Sequence, residues 1–362
     1  MTTSASPKWQ PDWAVAPGEI LLEALQDRDL TQSELAQRLG RPLKTINEII
    51  KGKAAITADT AIQLERTLGI SASFWTNLET QYRDALARQR ATAELESQTS
   101  WADRFPIVEL VRRGLIERGP TKAATVENLL SWLGLGSPAA FDRIASSVSY
   151  RKSPAFMASP EAVTAWLRWG ELQASATKAA TFDLDRFRGV LRAVRPLTRK
   201  EPFAQIFRRV QKMCAEAGVV VVLTPELPGT HVSGAARWVG SHALIQLSLR
   251  HKTDDELWFT FFHEAGHICS GRRRYDAVDG PLGESTVDPE EVAVDGWARD
   301  FMLEPDAYRN FRQAGDFSVL SVRRFAETQS IAPGIVVGFL ERDELVTHGQ
   351  LRRLKKPVNF SG

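Results

Sequence analysis

Two histidines and a glutamate in the second half of the chain have the spacing of a metal site. His263 and His267 are four residues apart, and Glu264 follows the first of them. Because an α-helix completes one turn in about 3.6 residues, both imidazoles would lie on one helix face and reach one Zn²⁺ ion. Zinc would lower the pKa of a water and polarise a peptide carbonyl, while Glu264 would take the proton and pass it to the leaving amine. The motif predicts zinc-dependent peptide hydrolysis.

A second predicted helix, over 288–303, carries carboxylates that could complete this site. Glu291 would supply the third zinc ligand, and Asp295, four residues later, would accept a hydrogen bond from a ligating histidine. The alternative is that Glu290 and Glu291 only stabilise the N-terminus of their helix.

Three further residues are candidates for stabilising an oxyanion next to the metal, namely His231, His242 and Tyr275. For the two histidines the alternative is ordinary hydrogen bonding at the surface or in the core. Cys269 is expected to be a small core residue, because it points away from the histidine face of its helix.

A basic segment near the N-terminus predicts a second chemistry, which is binding to double-stranded DNA. Residues 38–53 carry five Lys and Arg against one Glu, a local charge of +4. Thr31 and Glu34 form a capping box that opens a short helix, Gly40 ends it, and another helix starts near Pro42. This is the layout of a helix-turn-helix, in which the second helix enters the major groove and basic residues contact phosphates.

The second of these helices has an apolar face and a DNA-facing side. The residues expected to face the core are Ile46, Ile49 and Ile50. Those expected at base edges are Leu43, Lys44, Asn47 and Glu48, since Asn can bind adenine and Glu can accept from cytosine. Phosphate contacts are expected from Gln32, Arg41, Thr45, Lys51 and Lys53. The alternative is a small helical bundle whose basic face is only solvated.

A second basic stretch, over 186–212, contains nine Lys and Arg. We interpret it as a solvated helix face, and the alternative is a surface that receives an acidic partner.

Composition limits the class of protein. The chain has 362 residues, 43% hydrophobic and 25% charged, with a formal net charge of +2. These values are those of a globular protein of about two or three domains, and DNA binding must come from a local patch. No apolar run is long enough to cross a membrane, and no secretory signal is visible at the N-terminus. With only two cysteines, we expect a cytoplasmic protein, associated with the nucleoid when it is bound to its operator.

The pattern of elements predicts a mainly α protein with an α+β part. Several short helices precede a polar, linker-like stretch at 91–100, and helices continue to about 215. Strands are predicted at Val219–Leu223 and 243–249 with turns at 225–234 between them, followed by a buried helix over 254–270. We predict domains over 1–90, 91–215, 216–310 and 311–362, the last packing on the third.

Several short segments in the N-terminal part of the sequence resemble a known family. They are Pro17-Gly-Glu-Ile, Leu30-Thr-Gln-Ser-Glu-Leu-Ala, Ile49-Ile-Lys-Gly-Lys, Ile56-Thr and Phe74-Trp. Across most of 16–85 the chain is similar to the HigA-like antitoxins, a branch of the lambda-repressor (XRE) type of helix-turn-helix proteins. The resemblance implies five helices, a homodimer and binding to the protein's own operator. The helix over 71–82, with Phe74, Trp75 and Leu78 on one face, would form the dimer contact, and the alternative is that these residues fill the core.

The sequence segments around the metal motif resemble a second family. They include Val232-Ser-Gly-Ala, Gln246-Leu-Ser-Leu-Arg, Trp258-Phe-Thr-Phe-Phe-His-Glu-Ala-Gly-His and Trp297-Ala-Arg-Asp-Phe-Met-Leu-Glu-Pro. These look like the ImmA/IrrE-type zinc metallopeptidases, which are gluzincins with a small β-sheet. Position by position, His263, His267 and Glu291 match the zinc ligands, and Glu264 matches the catalytic base. The sequence has Asp295 where the family often has Asn, and either side chain can accept a hydrogen bond.

Together the two resemblances predict a DNA-binding regulator with a zinc endopeptidase domain. Its substrate would be the chain itself, a repressor or a toxin-linked partner. The alternative is a non-enzymatic antitoxin-repressor that neutralises a toxin by binding, with zinc as a structural or sensory ion. A general digestive peptidase is disfavoured, because bulk proteolysis has no use for a sequence-specific DNA-binding module.

Overall fold

The computed structural model describes residues 15–147, 158–248, 250, 253–271, 277–279 and 289–358, with side chains at all of these except 146, 147 and 277–279. The described chain separates into two compact units. The first comprises the residues up to Thr99 together with Pro120–Ala124, and the second comprises Ser100–Gly119 and the residues from Thr125 onward.

The first unit is built from five helices. They are α1 (Pro17–Gln26), α2 (Gln32–Leu39), α3 (Leu43–Ile50), α4 (Ala58–Leu68) and α5 (Ala72–Ser97). The predicted capping box is confirmed: the Thr31 side chain accepts from the Glu34 backbone N–H, and the Glu34 carboxylate accepts from the Thr31 N–H at 2.8 Å. Gly40 ends α2 in the left-handed conformation, with φ of 63°, which a residue without a Cβ adopts readily.

One apolar core holds these five helices together. Its fully buried members include Leu21, Leu35, Ile46, Leu64 and Trp75. Trp75 is therefore a core residue, which agrees with the alternative prediction that this helix face fills the core of the unit. Leu78 packs against the same core. Phe74 is 43% exposed.

The linker expected at 91–100 is wrong, because α5 continues to Ser97 without a break. Residues 91–97 (Ala-Thr-Ala-Glu-Leu-Glu-Ser) include several good helix formers. Adding such residues to an existing helix avoids the cost of nucleation, so a polar composition alone does not end the helix.

Helices and a small sheet form the second unit. Its first helices are α6 (Thr99–Ala102), α7 (Ile107–Arg112), α8 (Lys122–Leu133), α9 (Pro138–Ser147), α10 (Pro160–Ser175), α11 (Leu184–Val194) and α12 (Phe203–Glu216). After the first three strands come α13 (Asp254–Cys269), α14 (Pro289–Met302), α15 (Pro305–Ala314), α16 (Val319–Thr328) and α17 (Pro333–Arg342). Short 3₁₀ helices lie at Arg195–Arg199 and Arg352–Leu354.

The sheet contains β1 (Val219–Leu223), β2 (Gly234–Val239), β3 (His242–Leu247) and β4 (Ala277–Asp279), in the order β1-β3-β2-β4. β1 pairs with β3 in parallel, and β2 is antiparallel to both β3 and β4. The two predicted strands are confirmed. β2 and β4 were not predicted. The Gly-Ala-Ala-Arg stretch of β2 has low β-propensity.

The sheet is covered on both faces, as a parallel pair of strands requires. Alternate residues of β1 point to opposite sides: Val219 and Val221 belong to the large core that includes α13, whereas Val220 and Val222 pack with Ala174 of α10. On the α10 side, the buried Arg237 guanidinium donates to Glu171 at 2.8 Å. These contacts anchor the sheet between α10 and α13.

The last described residues are attached to the start of α13. The Asp254 N–H donates to the carbonyl of Lys356 at 2.9 Å, and the Lys356 N–H donates to the Asp254 carboxylate at 2.8 Å. Lys355 forms ion pairs with Asp255 at 2.7 Å and with Glu341 of α17 at 2.6 Å. The C-terminal segment thus holds the beginning of the helix that carries the histidine motif.

Within the described ranges, every helix is either too short or too polar to cross a lipid bilayer.

Candidate metal centre and nucleic-acid interface

Helix α13 carries the histidine motif through the centre of the second unit. Every residue from Leu257 to Cys269 is buried, and the rings of Phe261 and Phe262 anchor the helix in the core. Gly266 allows α14 to approach closely, since a Cβ there would lie 2.8 Å from the Trp297 ring and 2.9 Å from Val294. This contact brings the carboxylates of α14 to the histidines of α13.

Three side chains meet with the geometry of a zinc site. The Nε2 atoms of His263 and His267 are 3.1 Å apart, and Glu291 Oε2 lies 3.3 Å and 3.4 Å from them. Ligands at tetrahedral angles and 2.0–2.1 Å from one zinc ion are separated by about 3.3 Å. Two histidines and one glutamate are also a donor set used by catalytic zinc sites. The residues present therefore fit a zinc ion, and no other described group of His, Cys, Asp and Glu has this arrangement.

Asp295 orients the first histidine. Its Oδ1 lies 2.8 Å from His263 Nδ1. Because a carboxylate can only accept, the proton of the neutral imidazole is on Nδ1, and Nε2 keeps its lone pair for a metal. The predicted role of Asp295 matches this position.

The carboxylate of Glu291 is held in its anionic form. Burial raises the pKa of Glu291, but His263 and His267, which can donate to its carboxylate from Nε2 when they are protonated, outweigh that effect and hold the pKa well below its ordinary value. The anion is the form that ligates a metal. Glu290, beside it, is half-buried.

Glu264 lies against the strand β2. Its side chain is fully buried. Gly234, the first residue of β2, faces it so closely that a Cβ would collide with the Glu264 carboxylate and lie 2.6 Å from Thr260 Cγ2. Only glycine leaves room for the carboxylate at this point. Sequence reasoning missed this role of Gly234, because nothing local to the Ser-Gly-Ala stretch shows which helix packs over it.

Two of the three residues predicted to stabilise an oxyanion, His231 and His242, lie within the described residues. His242 pairs with Val239 at the far end of β2, about 16 Å along the strand from Gly234, so its predicted role at the metal is wrong. His231 is half-buried in the loop that leads into β2, where its carbonyl accepts from Arg250 at 2.7 Å. Its role as an oxyanion stabiliser stays a prediction. Tyr275 lies outside the described residues.

Cys269 is buried, in agreement with its expected place in the core. Burial raises the pKa of its thiol to about 11.

In the first unit, α3 presents the side chains expected at DNA. Ile46 and Ile49 are buried as predicted, and Ile50 packs at the margin of the same core. The side chains of Leu43, Lys44, Lys51 and Lys53 are exposed, whereas Gln32, Thr45, Asn47 and Glu48 are half-buried. These predicted base-contacting and phosphate-contacting residues are therefore all at least partly exposed, and their contacts with DNA stay a prediction.

Two of these residues have partners within the unit. Arg41 donates from Nε to Gln63 of α4 at 2.7 Å, and Lys44 lies 3.9 Å from the Glu48 carboxylate. The Lys44 side chain is 85% exposed, so this ion pair is weak and easily exchanged for a phosphate contact.

Comparison with known proteins concerns the N-terminal part of the chain. Residues 21–75 match the helix-turn-helix family. Virulence-associated protein I of Dichelobacter nodosus is 42% identical over 77 residues, which are 21% of this chain and 71% of that protein. An uncharacterized HTH-type transcriptional regulator of Escherichia coli, YddM, is 30% identical over 79 residues, which are 22% of this chain and 82% of that protein. Among solved structures, the antitoxin HigA of Pseudomonas aeruginosa with the higBA promoter is 36% identical and covers 24% of this chain and 94% of its own, with a TM-score of 0.22.

The chain belongs to the helix-turn-helix family, through its first unit.

Proposed function

We propose that this protein is a DNA-binding transcriptional regulator of the antitoxin type whose second unit is a zinc-dependent endopeptidase. The observation that carries the enzymatic part is the triangle of His263, His267 and Glu291, with edges of 3.1–3.4 Å, beside a fully buried Glu264. A purely structural zinc site needs ligands but has no use for an additional buried glutamate next to them.

The DNA-binding part is supported by the family and by the exposed surface of α3. Lys51 and Lys53 would supply positive charge for phosphates, and Asn47 would contact a base edge. The protein's own operator is the proposed target. Binding as a homodimer, with the exposed Phe74 available at the start of α5, belongs to the same proposal.

The chemistry follows from the residues around the proposed metal. Zinc, when bound by His263, His267 and Glu291, supplies Lewis-acid activation of water and of the peptide carbonyl. Glu264 accepts a proton from the attacking water at its carboxylate and delivers it to the amide nitrogen as the C–N bond breaks. The buried position of Glu264 holds that carboxylate in one orientation, against Gly234.

We infer that the substrate is a restricted one: this chain itself, a repressor or a toxin-linked protein. A regulator that binds one operator has its peptidase near few proteins, which suits limited rather than bulk cleavage. Cytoplasmic location is part of this proposal.

Glu264→Gln tests the enzymatic part. It keeps the size of the side chain and leaves the three ligands unchanged, but it removes the base. Cleavage of the chain or of the neighbouring gene product should fall by about 10²–10⁴, with zinc content and folding retained. Glu327→Gln, at an exposed site far along the chain, is the matched control and should keep activity.

The result that would overturn this part is full regulation and unchanged processing with Glu264→Gln under every inducing condition. The binding-only antitoxin would then replace it. Elemental analysis separates the metal from the chemistry: wild type should hold about one zinc per chain, and His263→Ala/His267→Ala should hold none. Equal zinc in both would exclude the site.

A further inference from the structure

Helices α11 and α12 form a hairpin on the surface of the second unit. Arg186 at the start of α11 lies 4.0 Å from Glu216 at the end of α12, so the helices run antiparallel. Their inner faces belong to the large core, through Phe187 and Leu191 of α11 and Phe207 of α12. The charged residues of both helices lie outside these core faces and are exposed to solvent.

Positive charge is concentrated on this outer surface. Residues 184–216 contain nine Lys and Arg against three acids, a net charge of +6, whereas the whole chain has +2. The exposed members on the two helices, which we call the basic hairpin face, are Arg186, Arg188, Arg192, Arg208, Arg209 and Lys212. The remainder of the chain is thus net negative, and the charge of this face is a local property.

Most of this charge is not neutralised by neighbouring acids. Among the residues that the structure describes, Arg192, Arg209 and Lys212 form no ion pair. The acidic partners of Arg186 and Arg188 lie 4.0 Å and 3.7 Å away, between exposed groups, and such pairs contribute little. A surface of this kind attracts a polyanion.

We infer that the basic hairpin face binds the phosphate backbone of duplex DNA and is a second DNA contact, separate from α3. This inference rests on the proposed DNA binding of the first unit. Arg192 and Arg188 are one turn apart on α11, and Lys212 is one turn from Arg208 on α12, so cations follow both helices as a row of phosphates requires.

DNA is the partner that the chain itself favours. Once the first unit is bound, the covalent connection keeps the second unit at high effective concentration near flanking DNA, whatever the orientation of the two units. Contacts from arginine and lysine to phosphates are independent of sequence. The second contact therefore adds affinity and salt dependence without changing which operator is chosen.

The test compares two triple variants of the full chain. Arg192→Gln/Arg209→Gln/Lys212→Gln removes three charges from the basic hairpin face. Arg323→Gln/Arg324→Gln/Arg353→Gln removes three exposed charges elsewhere in the same unit and is the control. Binding is measured by fluorescence anisotropy over a salt series, on a short operator duplex and on one extended by several helical turns.

Wild type and control should bind the long duplex more tightly than the short one, with a steeper salt dependence. The hairpin variant should lose that gain, about tenfold or more at low salt, and its slope of log K against log salt should fall by about 2.7 for three lost contacts. Preference for operator over unrelated DNA should stay as in wild type.

Equal slopes for the hairpin variant and the control on the long duplex would overturn the inference. So would a loss confined to binding of polyglutamate, which would assign the face to an acidic protein. If the wild-type chain shows no operator preference at all, it is the proposed function of the first unit that fails. The two failures are therefore distinguishable.

Discussion

The two units place their functional groups in opposite ways. In the first unit, the residues proposed to contact DNA lie on the outside of one short helix and its neighbouring turns, and Lys44 is 85% exposed. In the second, the proposed zinc ligands come from two helices, α13 and α14, and His263 is 4% exposed. A partner as large as DNA requires a surface, whereas proton transfer requires a buried carboxylate in one orientation.

The two sites also differ in how much each depends on the packing of the core around it. The DNA-facing side chains need only that α3 is folded and correctly oriented. The metal centre needs several close contacts at once: Gly266 against α14, Gly234 against Glu264, and Asp295 against His263. Small substitutions near the metal should therefore act on chemistry, and those near α3 should act on affinity.

The largest expected effect is on the stability of the first unit. Ile46→Ala removes a fully buried side chain from the core of the first unit and should cost about 2–5 kcal/mol of unfolding free energy there. Leu43→Ala, exposed on the same helix, is the control and should cost less than about 0.5 kcal/mol. Urea unfolding followed together with zinc content checks this. If Ile46→Ala also releases zinc, the two units are not independent.

A pH-dependent effect comes next, at the start of α13. Burial raises the pKa of Asp254 to about 6, although backbone hydrogen bonds from Lys356 and Asp255 oppose the shift. This folded-state pKa lies above the unfolded value of about 3.9, so the protonated Asp254 carboxyl favours the folded state. Its contribution to the free energy of unfolding is present at low pH and is lost as pH rises through about 6.

Asp254→Asn should therefore stabilise the second unit above about pH 6, by about 2–3 kcal/mol, and flatten the pH dependence between about pH 4 and pH 6. The amide keeps the Oδ1 acceptor for Lys356. Chemical denaturation across this pH range measures it, with the exposed Asp306→Asn as control. A parallel pH profile for Asp254→Asn and wild type would contradict the assignment.

Asp295→Asn should weaken zinc binding by about 10–100-fold without removing a ligand. Asn still accepts from His263 Nδ1 but no longer supplies a negative charge beside the ring. Competition against a zinc-binding dye gives the affinity. Asp300→Asn, at an exposed position on the same helix, should behave as wild type, and an unchanged affinity for Asp295→Asn would remove Asp295 from the centre.

The smallest effect is expected at the DNA surface. Lys51→Ala removes one exposed cation and should reduce the salt slope by about 0.9, with a similar loss on every sequence. Asn47→Ala should instead relax base preference, by about 1–3 kcal/mol. Gel shifts with the upstream region and with unrelated DNA compare the two variants. Unaltered binding in both would refute the assigned surface of α3.

Sequence patterns predicted the first unit almost completely. The Thr31 cap, Gly40 and the spacing of Ile46 and Ile49 are short-range signals, and the helices start and end close to where these signals place them. The exception is α5, where polar residues after Arg90 continue the helix. Capping and periodicity act over one or two turns, so they are visible in a sequence without knowledge of the fold.

In the second unit the same patterns were sufficient only for part of the site. The pair His263 and His267 follows from helical spacing alone, and the i, i+4 relation of Glu291 and Asp295 made α14 a candidate partner. The strand β2 and the proximity of Gly234 to Glu264 were not predicted. The expected role of His242 failed because strand pairing carried it to the opposite end of β2.

What the sequence by itself determined is the identity of the chemical groups, their spacing along each helix, and the local charge of α3 and of the α11–α12 hairpin. Tertiary structure alone decided that Glu291 reaches both histidines, that Asp295 meets Nδ1 of His263, and that β2 passes beside Glu264. The physical reason is range. Helical periodicity relates residues within a turn, whereas contacts between α13, α14 and β2 depend on how buried surfaces pack, and packing is a property of the whole core.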